Sequence, residues 1–253
     1  MRIIFREHLL ENIFLLRHAN SAGNEDNSLN QRMADHAIPL AQHGPGQAMS
    51  AGSAFSEYLA GGKITLKPQS MRIWCSPYLR TNSTCDYFLK GFGNRSNVFL
   101  DRREDFLLTE QQFGLFNGLS EEERARKFPE ENRRFQICVE QNGKFYAMNP
   151  DGESRYDVAV RARQFSGTII RDAEKARNPV PNVLLVSHGT WIRAFVMCWL
   201  HKNIEWFDDE PNPNNASIRH IGRDNKGRWQ DFGCIYEGFP DQEAIRKKHD
   251  RQH

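Results

Sequence analysis

Apolar residues in this chain fall into short unbroken runs, separated by longer stretches in which apolar and polar positions alternate with helical spacing. That pattern predicts buried strands alternating with helices. The runs are "IFLL" at 13–16, "MRIWC" at 71–75, "NVFL" at 97–100 and "VLLV" at 183–186. After the first run comes an Asn-, Gly- and Asp-rich stretch to about residue 44, which reads as a long loop. A helix follows from Pro45 in first-turn position and stops at Gly61-Gly62. The stretch "SPYLRTNSTCDYFLK" predicts a helix with Ser76 as N-cap and Pro77 at N1. Ser120 is expected to cap a helix over "LSEEERARKFPEE", and a longer helix is expected from about 153 to 177. The sequence "ASIRHIGRDNKGRWQDFGCIYE" predicts a closing hairpin turning near Asn225, Lys226 and Gly227. The tail "DQEAIRKKHDRQH" reads as a solvated helix or frayed end. Together these predict an α/β chain: one domain over 1–253, built as a three-layer sandwich with a mostly parallel sheet flanked by helices. Its core spans about 13–100 and 151–236. The irregular, charged and aromatic segment 101–150 is expected as an insertion over the site.

In open α/β sheets, ligands bind beyond the carboxyl ends of the strands. Three predicted strands end in chemically loaded residues: Arg17-His18, Ser76-Pro77 leading to Arg80, and Ser187-His188-Gly189 at a helix N-terminus. One histidine at a strand end is more often structural, satisfied by a carbonyl. One arginine is more often a surface ion-pair partner. Four such residues on one rim point to a site. Two guanidiniums and helix N-termini suit a dianionic phosphoryl group, and imidazole can attack it as a covalent nucleophile. Phosphoryl transfer needs mainly in-line positioning and charge neutralisation. The arginines can supply that charge without a metal. A carboxylic acid must still protonate the leaving oxygen. Candidates are Glu104, Asp105, Glu110 and Glu121 to Glu123. The last three read as a solvated helix face, whereas Glu110 stands among apolar residues and glycines, where burial favours a protonated carboxyl.

Composition narrows the ligand. The 253 residues carry a formal charge of only +2, with 39% hydrophobic and 26% charged residues. Without a concentrated basic face, nucleic acid is not expected as a partner. No apolar run reaches the roughly 18 residues of a membrane span, and the start "MRIIFREHLLEN" lacks a signal-peptide core. Five cysteines with no CxxC pair read as free thiols in a cytoplasmic protein, and no metal site is expected. His36 and His43 have no carboxylate or cysteine at ligand spacing and read as loop histidines.

Five stretches, "LLRHANSAGN", "SPYLRT", "TEQQFGLFNG", "DGES" and "SHGTWIR", occur in that order between residue 13 and about 193. They resemble the successive motifs of the histidine phosphatase superfamily, also called phosphoglycerate-mutase-like. The resemblance implies that His18 is phosphorylated during turnover and that Arg17, Asn24, Arg80 and His188 hold the phosphoryl oxygens, with the backbone N–H of Gly189. It also implies Glu110 as proton donor and no cofactor. Two positions depart from the family pattern. Ala19 stands where glycine is usual, which would be unfavourable at a positive φ, and Asn20 stands for Glu or Gln. Phosphoglycerate-type mutases usually carry tryptophan before the motif asparagine, where this chain has Gly23. The stretches "DHAIPLAQHGPGQA" and "DGESRYDVAVRARQF" are similar to the broad phosphatase-like branch. The implied activity is that of a metal-independent, histidine acid phosphatase-type phosphoric monoester hydrolase acting on a small phosphorylated substrate. The alternatives are a phosphomutase and a non-catalytic phospho-ligand-binding domain. The presence of both His18 and Glu110 disfavours the non-catalytic reading.

Several other residues admit plainer readings. "DGES" serves as a helix cap, Arg102 and Arg103 as a solvated pair, and Trp191 as packing, while Arg193 is more often turned from the site than toward it. Phe106, Phe113, Phe116, Phe128 and Phe135 predict a greasy lid suited to a leaving group with an apolar face. Oligomeric state is not set by the sequence, and a homodimer is compatible with it.

Overall fold

Strands that are apolar on both faces must be covered on both faces, and the sheet at the centre of the computed structural model is built that way. The structure describes residues 10–62, 64, 66–175 and 179–240. Residues 241–253, expected as a solvated helix or frayed end, lie outside these. The strands are β1 (Asn12–Arg17), β2 (Met71–Cys75), β3 (Phe99–Glu104), β4 (Asn182–Ser187), β5 (Ile218–Arg223) and β6 (Trp229–Tyr236). They form one sheet in the order β3-β2-β4-β1-β5-β6. The first four in that order are parallel, and β5 and β6 extend the sheet antiparallel as the expected hairpin.

The helices are α1 (Ala22–Glu25), α2 (Leu29–Arg32), α3 (Gly44–Ala60), α4 (Leu79–Phe92), α5 (Glu121–Lys127), α6 (Pro129–Asn142), α7 (Arg155–Ala173), α8 (Gly189–Trp199) and α9 (Ile204–Asp209). Successive strand residues alternate between two cores. Ile13, Leu15, Trp74, Val183 and Leu185 pack with Phe165 of α7 and Trp191 and Phe195 of α8. Phe14, Leu16, Ile73, Cys75, Leu184 and Val186 pack with Phe55 of α3 and Phe88 and Phe92 of α4. Helices on both faces complete the three-layer sandwich. Helices α3 and α4 meet backbone to backbone: a Cβ on Gly52 would lie 2.1 Å from the Phe88 carbonyl oxygen, and one on Gly91 2.0 Å from that of Met49. No helix among the described residues is long and apolar enough to cross a membrane.

Several boundaries differ from the sequence reading. The expected loop after β1 holds α1, α2 and a 3-10 turn at Asp35–Ala37. The run expected as a strand at 97–100 is displaced, because β3 starts at Phe99 and continues to Glu104, into the segment expected to be irregular. The helix expected from Ser76 begins at Leu79, since Tyr78 keeps extended backbone at the cap. Helix α7 is shorter than expected and starts with a capping box between Ser154 and Asp157. Ser120 caps α5 as expected, and α6 is an additional helix.

Arg72 and His220 are among the polar groups buried in the fold. Arg72 on β2 is 4% exposed; its Nε donates to Asp101 at 2.5 Å and its Nη1 to Asp172 of α7. His220 on β5 is stacked between Phe14 and Phe232. Its Nε2 lies 2.9 Å from Asn12 Oδ1 and its Nδ1 3.1 Å from the Tyr58 hydroxyl. The Asn12 amide nitrogen already donates to Asn182, so Oδ1 accepts from His220 Nε2–H and Nδ1 accepts from Tyr58. This neutral imidazole has both nitrogens satisfied, and burial pushes its pKa from 6.5 down to about 4. Between those values the unfolded chain binds a proton that the folded chain refuses. Stability is therefore full above pH 6.5 and falls as pH drops toward 4. This one group contributes about 3 kcal/mol to the fall. Equilibrium denaturation across that window measures the effect, and a flat profile would contradict it.

Candidate active site

The parallel register of β1 against β4 sets Arg17 opposite Ser187, so the next residues, His18 and His188, emerge side by side. The His18 backbone is held from both sides: its N–H donates to the Ser187 carbonyl at 2.9 Å, and its own carbonyl accepts from Ala216 N–H at 3.2 Å. The two imidazoles stand 5.1 Å apart, centroid to centroid. Strand β2 lies on the other side of β4 and delivers Ser76, Tyr78 and Arg80. The expected convergence of the three strand ends is present.

A carbonyl oxygen can only accept, so the 2.8 Å contact between His18 Nδ1 and the Ala19 carbonyl fixes the proton on Nδ1. In the neutral ring Nε2 then carries the lone pair. Burial, followed by the charges of Arg80 and Arg17, holds His18 well below the ordinary imidazole pKa, against the opposing bond to Ala19. His188 is held low in the same way by burial, Arg80 and His18. Its Nε2 meets Ser76 Oγ at 2.9 Å, and its Nδ1 makes no hydrogen bond among the described residues. Ser76 therefore orients an imidazole, where the sequence suggested a helix cap.

A cavity of about 230 Å³ opens in front of His18, with Arg17, Asn24, Arg80 and Glu110 also in its walls. Arg17 donates to the Pro213 carbonyl at 2.6 Å. Arg80 is aimed by two bonds to Asp35, one to its carbonyl and one to its carboxylate, and stacks over the Tyr78 ring. Asn24 forms the capping box of α1, its Oδ1 accepting from the N–H and hydroxyl of Ser21. His188 and Gly189 are not among the residues that line the cavity. Gly189 opens α8, where a Cβ would come within 3.0 Å of Asn212 Oδ1.

Glu110 is half-buried rather than enclosed. Its Oε1 accepts from Gln111 N–H at 2.8 Å and its Oε2 from Thr190 N–H of α8 at 3.3 Å. The lid start is thereby tied to the helix that follows His188. The other acid candidates sit elsewhere: Asp105 caps a 3-10 turn, and Glu122 and Glu123 bond Ser120. Ala19 is not in the left-handed region, so its Cβ carries no backbone strain. Asn20, the other departure, is 3% exposed and bonds Glu25, His43 and Asn215 beneath the loop.

Most residues given plain readings keep them. Glu153 is paired with Arg161 at 2.9 Å and Arg193 with the carbonyls of Phe207 and Glu210, but of the expected solvated pair only Arg103 is exposed, whereas Arg102 is half-buried and bonds Asp86 at 2.6 Å and Asn82. Trp191 is fully buried packing. The greasy lid is corrected. Of the five phenylalanines only Phe113 and Phe116 line the cavity, whereas Phe106 is 74% exposed. Sequence reasoning missed the far wall, made by Asn27 and Asn30 from the loop after β1 together with Asn117, Gly118 and Arg124 from the lid segment. Asn117 donates to the Asn30 carbonyl at 3.1 Å and Lys127 to Gln31 at 3.0 Å. Gly118, at φ 68°, admits the Asn27 carbonyl oxygen to 2.4 Å from where a Cβ would be. Gly118 ends the stretch TEQQFGLFNG, but nothing in that stretch alone shows that its glycine is needed for this approach.

Comparison with known proteins bears on the family and the fold. The sequence pattern of the histidine phosphatase superfamily (branch 1) matches residues 13–232. Phosphoglycerate mutase-like protein AT74H of Arabidopsis thaliana is 32% identical over 221 residues, which is 85% of this chain and 74% of the relative. Among solved structures, a putative alpha-ribazole-5'-P phosphatase from Escherichia coli K-12 superposes with a TM-score of 0.68 at 16% identity, covering 91% of this chain and 98% of the other. A mycobacterial glucosyl-3-phosphoglycerate phosphatase bound to VO3 superposes with a TM-score of 0.61 at 23% identity, covering 90% and 99%. With a pattern match that runs through nearly all the described residues, this chain belongs to the histidine phosphatase superfamily.

Proposed function

We propose that the protein hydrolyses a small phosphate monoester through a phosphohistidine on His18. The observation that carries this reading is the tautomer of His18: Nδ1–H is committed to the Ala19 carbonyl, and the ring is kept neutral between two arginines at the cavity wall. Nε2 attacks phosphorus in line while the bond from phosphorus to the ester oxygen breaks. Glu110 gives its proton to that oxygen, and the alcohol leaves. Water then attacks the phosphohistidine, and Glu110 takes a proton from it. The P–N bond breaks, returning neutral His18 and free phosphate. Arg17 and Arg80 neutralise the equatorial oxygens, with Asn24 at the same wall. That guanidinium charge makes a divalent metal unnecessary.

The test is phosphate release from a panel of phosphoesters in excess chelator, with rapid-quench mapping of any phosphorylated histidine. Release that survives chelation, with label confined to the peptide bearing His18, is the expected result. Label that passes to a second acceptor without phosphate release would indicate a mutase. Bound ester with neither label nor release would indicate a binding domain.

A further inference from the structure

Glu110 stands on a stretch, residues 109–113, that belongs to no helix or strand. Something other than a backbone ladder must therefore fix where its carboxyl points. Resting on the reading of Glu110 as proton donor, we infer that Arg161 of α7 is the positioning residue for that acid. It sets the path of the backbone that carries Glu110, and it is not among the residues that line the cavity.

A guanidinium has five N–H donors, and here each meets an acceptor. Nη1 donates to the carbonyls of Leu107 at 2.9 Å and Thr109 at 2.6 Å, and Nη2 to that of Glu110 at 3.0 Å. The other two bonds go to the Glu153 carboxylate, from Nε at 2.9 Å and from Nη2 at 3.1 Å. The Leu108 carbonyl, which Arg161 passes over, accepts from Ser187 Oγ at 2.7 Å. Four successive carbonyls, from Leu107 to Glu110, are thus tied to α7 and to the end of β4. Glu153 continues the clasp beyond Glu110. Its Oε2 accepts from Gln112 N–H at 2.9 Å, its own N–H donates to the Gln112 carbonyl at 2.7 Å, and its carbonyl accepts from the Gln111 side chain at 2.9 Å. The side chains of Arg161 and Glu153 are only 12% and 23% exposed. Proton transfer demands hydrogen-bond reach, and a shift of about 1 Å can cost about 10²-fold in rate. Lysine would keep a positive charge beside Glu153, but one nitrogen with three donors cannot span three carbonyls and a carboxylate.

The experiment compares kcat/KM for two esters of similar size. Benzyl phosphate has a leaving oxygen that needs a proton, whereas 4-nitrophenyl phosphate has one that leaves as the anion. Arg161→Lys is expected to slow benzyl phosphate by about tenfold or more and the nitrophenyl ester by much less. Both rates come from one preparation, so any unfolded fraction cancels in their ratio. Glu110→Gln is expected to lower the same ratio, and adding Arg161→Lys to it should lower the ratio no further, because the two residues act through one group. If Arg161→Lys slows both esters alike or neither, or lowers the ratio again by the same factor in the Glu110→Gln background, the inference is overturned while the phosphatase reading stands. If Glu110→Gln leaves the ratio unchanged, or the native enzyme acts on the nitrophenyl ester alone, the role of Glu110 falls and the inference with it. No hydrolysis of either ester and no label on His18 in the native enzyme would overturn the phosphatase reading as well.

Discussion

Replacing His18 with alanine is expected to lower phosphoester turnover by on the order of 10⁴-fold or more and to abolish the phosphorylated enzyme. The size follows from geometry. Among the described residues nothing else in the cavity combines an unprotonated ring nitrogen with two flanking arginines, because His188 does not line it and has its Nε2 taken by Ser76. Folding should survive, since the His18 backbone bonds to Ser187 and Ala216 do not use the ring. Thermal denaturation of the variant checks this. Glu110→Gln should behave differently. Its loss should be large, on the order of 10²-fold or more, for alkyl phosphates whose leaving oxygen needs a proton. It should be small for phosphorylation by an activated aryl phosphate, whose oxygen leaves as the anion. Equal losses for both ester classes would remove Glu110 from the role of proton donor.

The second large effect concerns stability. Arg72→Met is expected to destabilise the fold by about 3 kcal/mol, or roughly 6–12 °C in Tm. Methionine fills most of the volume, so the loss is electrostatic. Asp172, 6% exposed at its side chain, would keep only Lys175 as an ionic partner, and Asp101 would keep Arg103. The site lies far along β2 from His18, so the enzyme that remains folded should turn over normally at low temperature. In the double variant Arg72→Met/Asp172→Leu, no buried carboxylate is left without its arginine, and much of the loss should return. Urea denaturation of the three proteins measures both effects. A single variant as stable as the native chain would show that the pair contributes nothing net.

The parts that could be read from the chain were those whose physics is local. Parallel strands covered on both faces leave contiguous apolar runs, and so β1, β2 and β4 stood out, as did the reactive residues at their ends. The capping box at Ser120 is equally local. Helix α6 was missed because it has no fully buried residues, and its apolar positions Phe135, Cys138 and Val139 are only half-buried among charged neighbours. The Ser76-Pro77 pair has the composition of a helix start, but the Ser76 hydroxyl is drawn to His188, 112 residues away in the chain. The same limit explains the lid. Aromatic content suggested a greasy cover, but the fold turns Phe106 to solvent and packs Phe116 against Phe135. The amide and guanidinium side chains that meet the cavity are brought there by docking between segments about 90 residues apart. No spacing rule carries that information.

The pairing of Arg17 with Ser187 has one more consequence. In a strand, a slip of one residue sends every side chain to the opposite face. A chain folded with β1 displaced by one position against β4 would still bury apolar residues on both faces, because both faces of this sheet are greasy. Bulk burial therefore discriminates weakly against the error. The slip would, however, separate His18 from His188 and withdraw Arg17 from its neighbour. Such a molecule would be compact and catalytically silent. Catalysis thus serves as a proofreading readout of the sheet: active-site titration counts the molecules whose central strands are in register, which a measure of compactness does not.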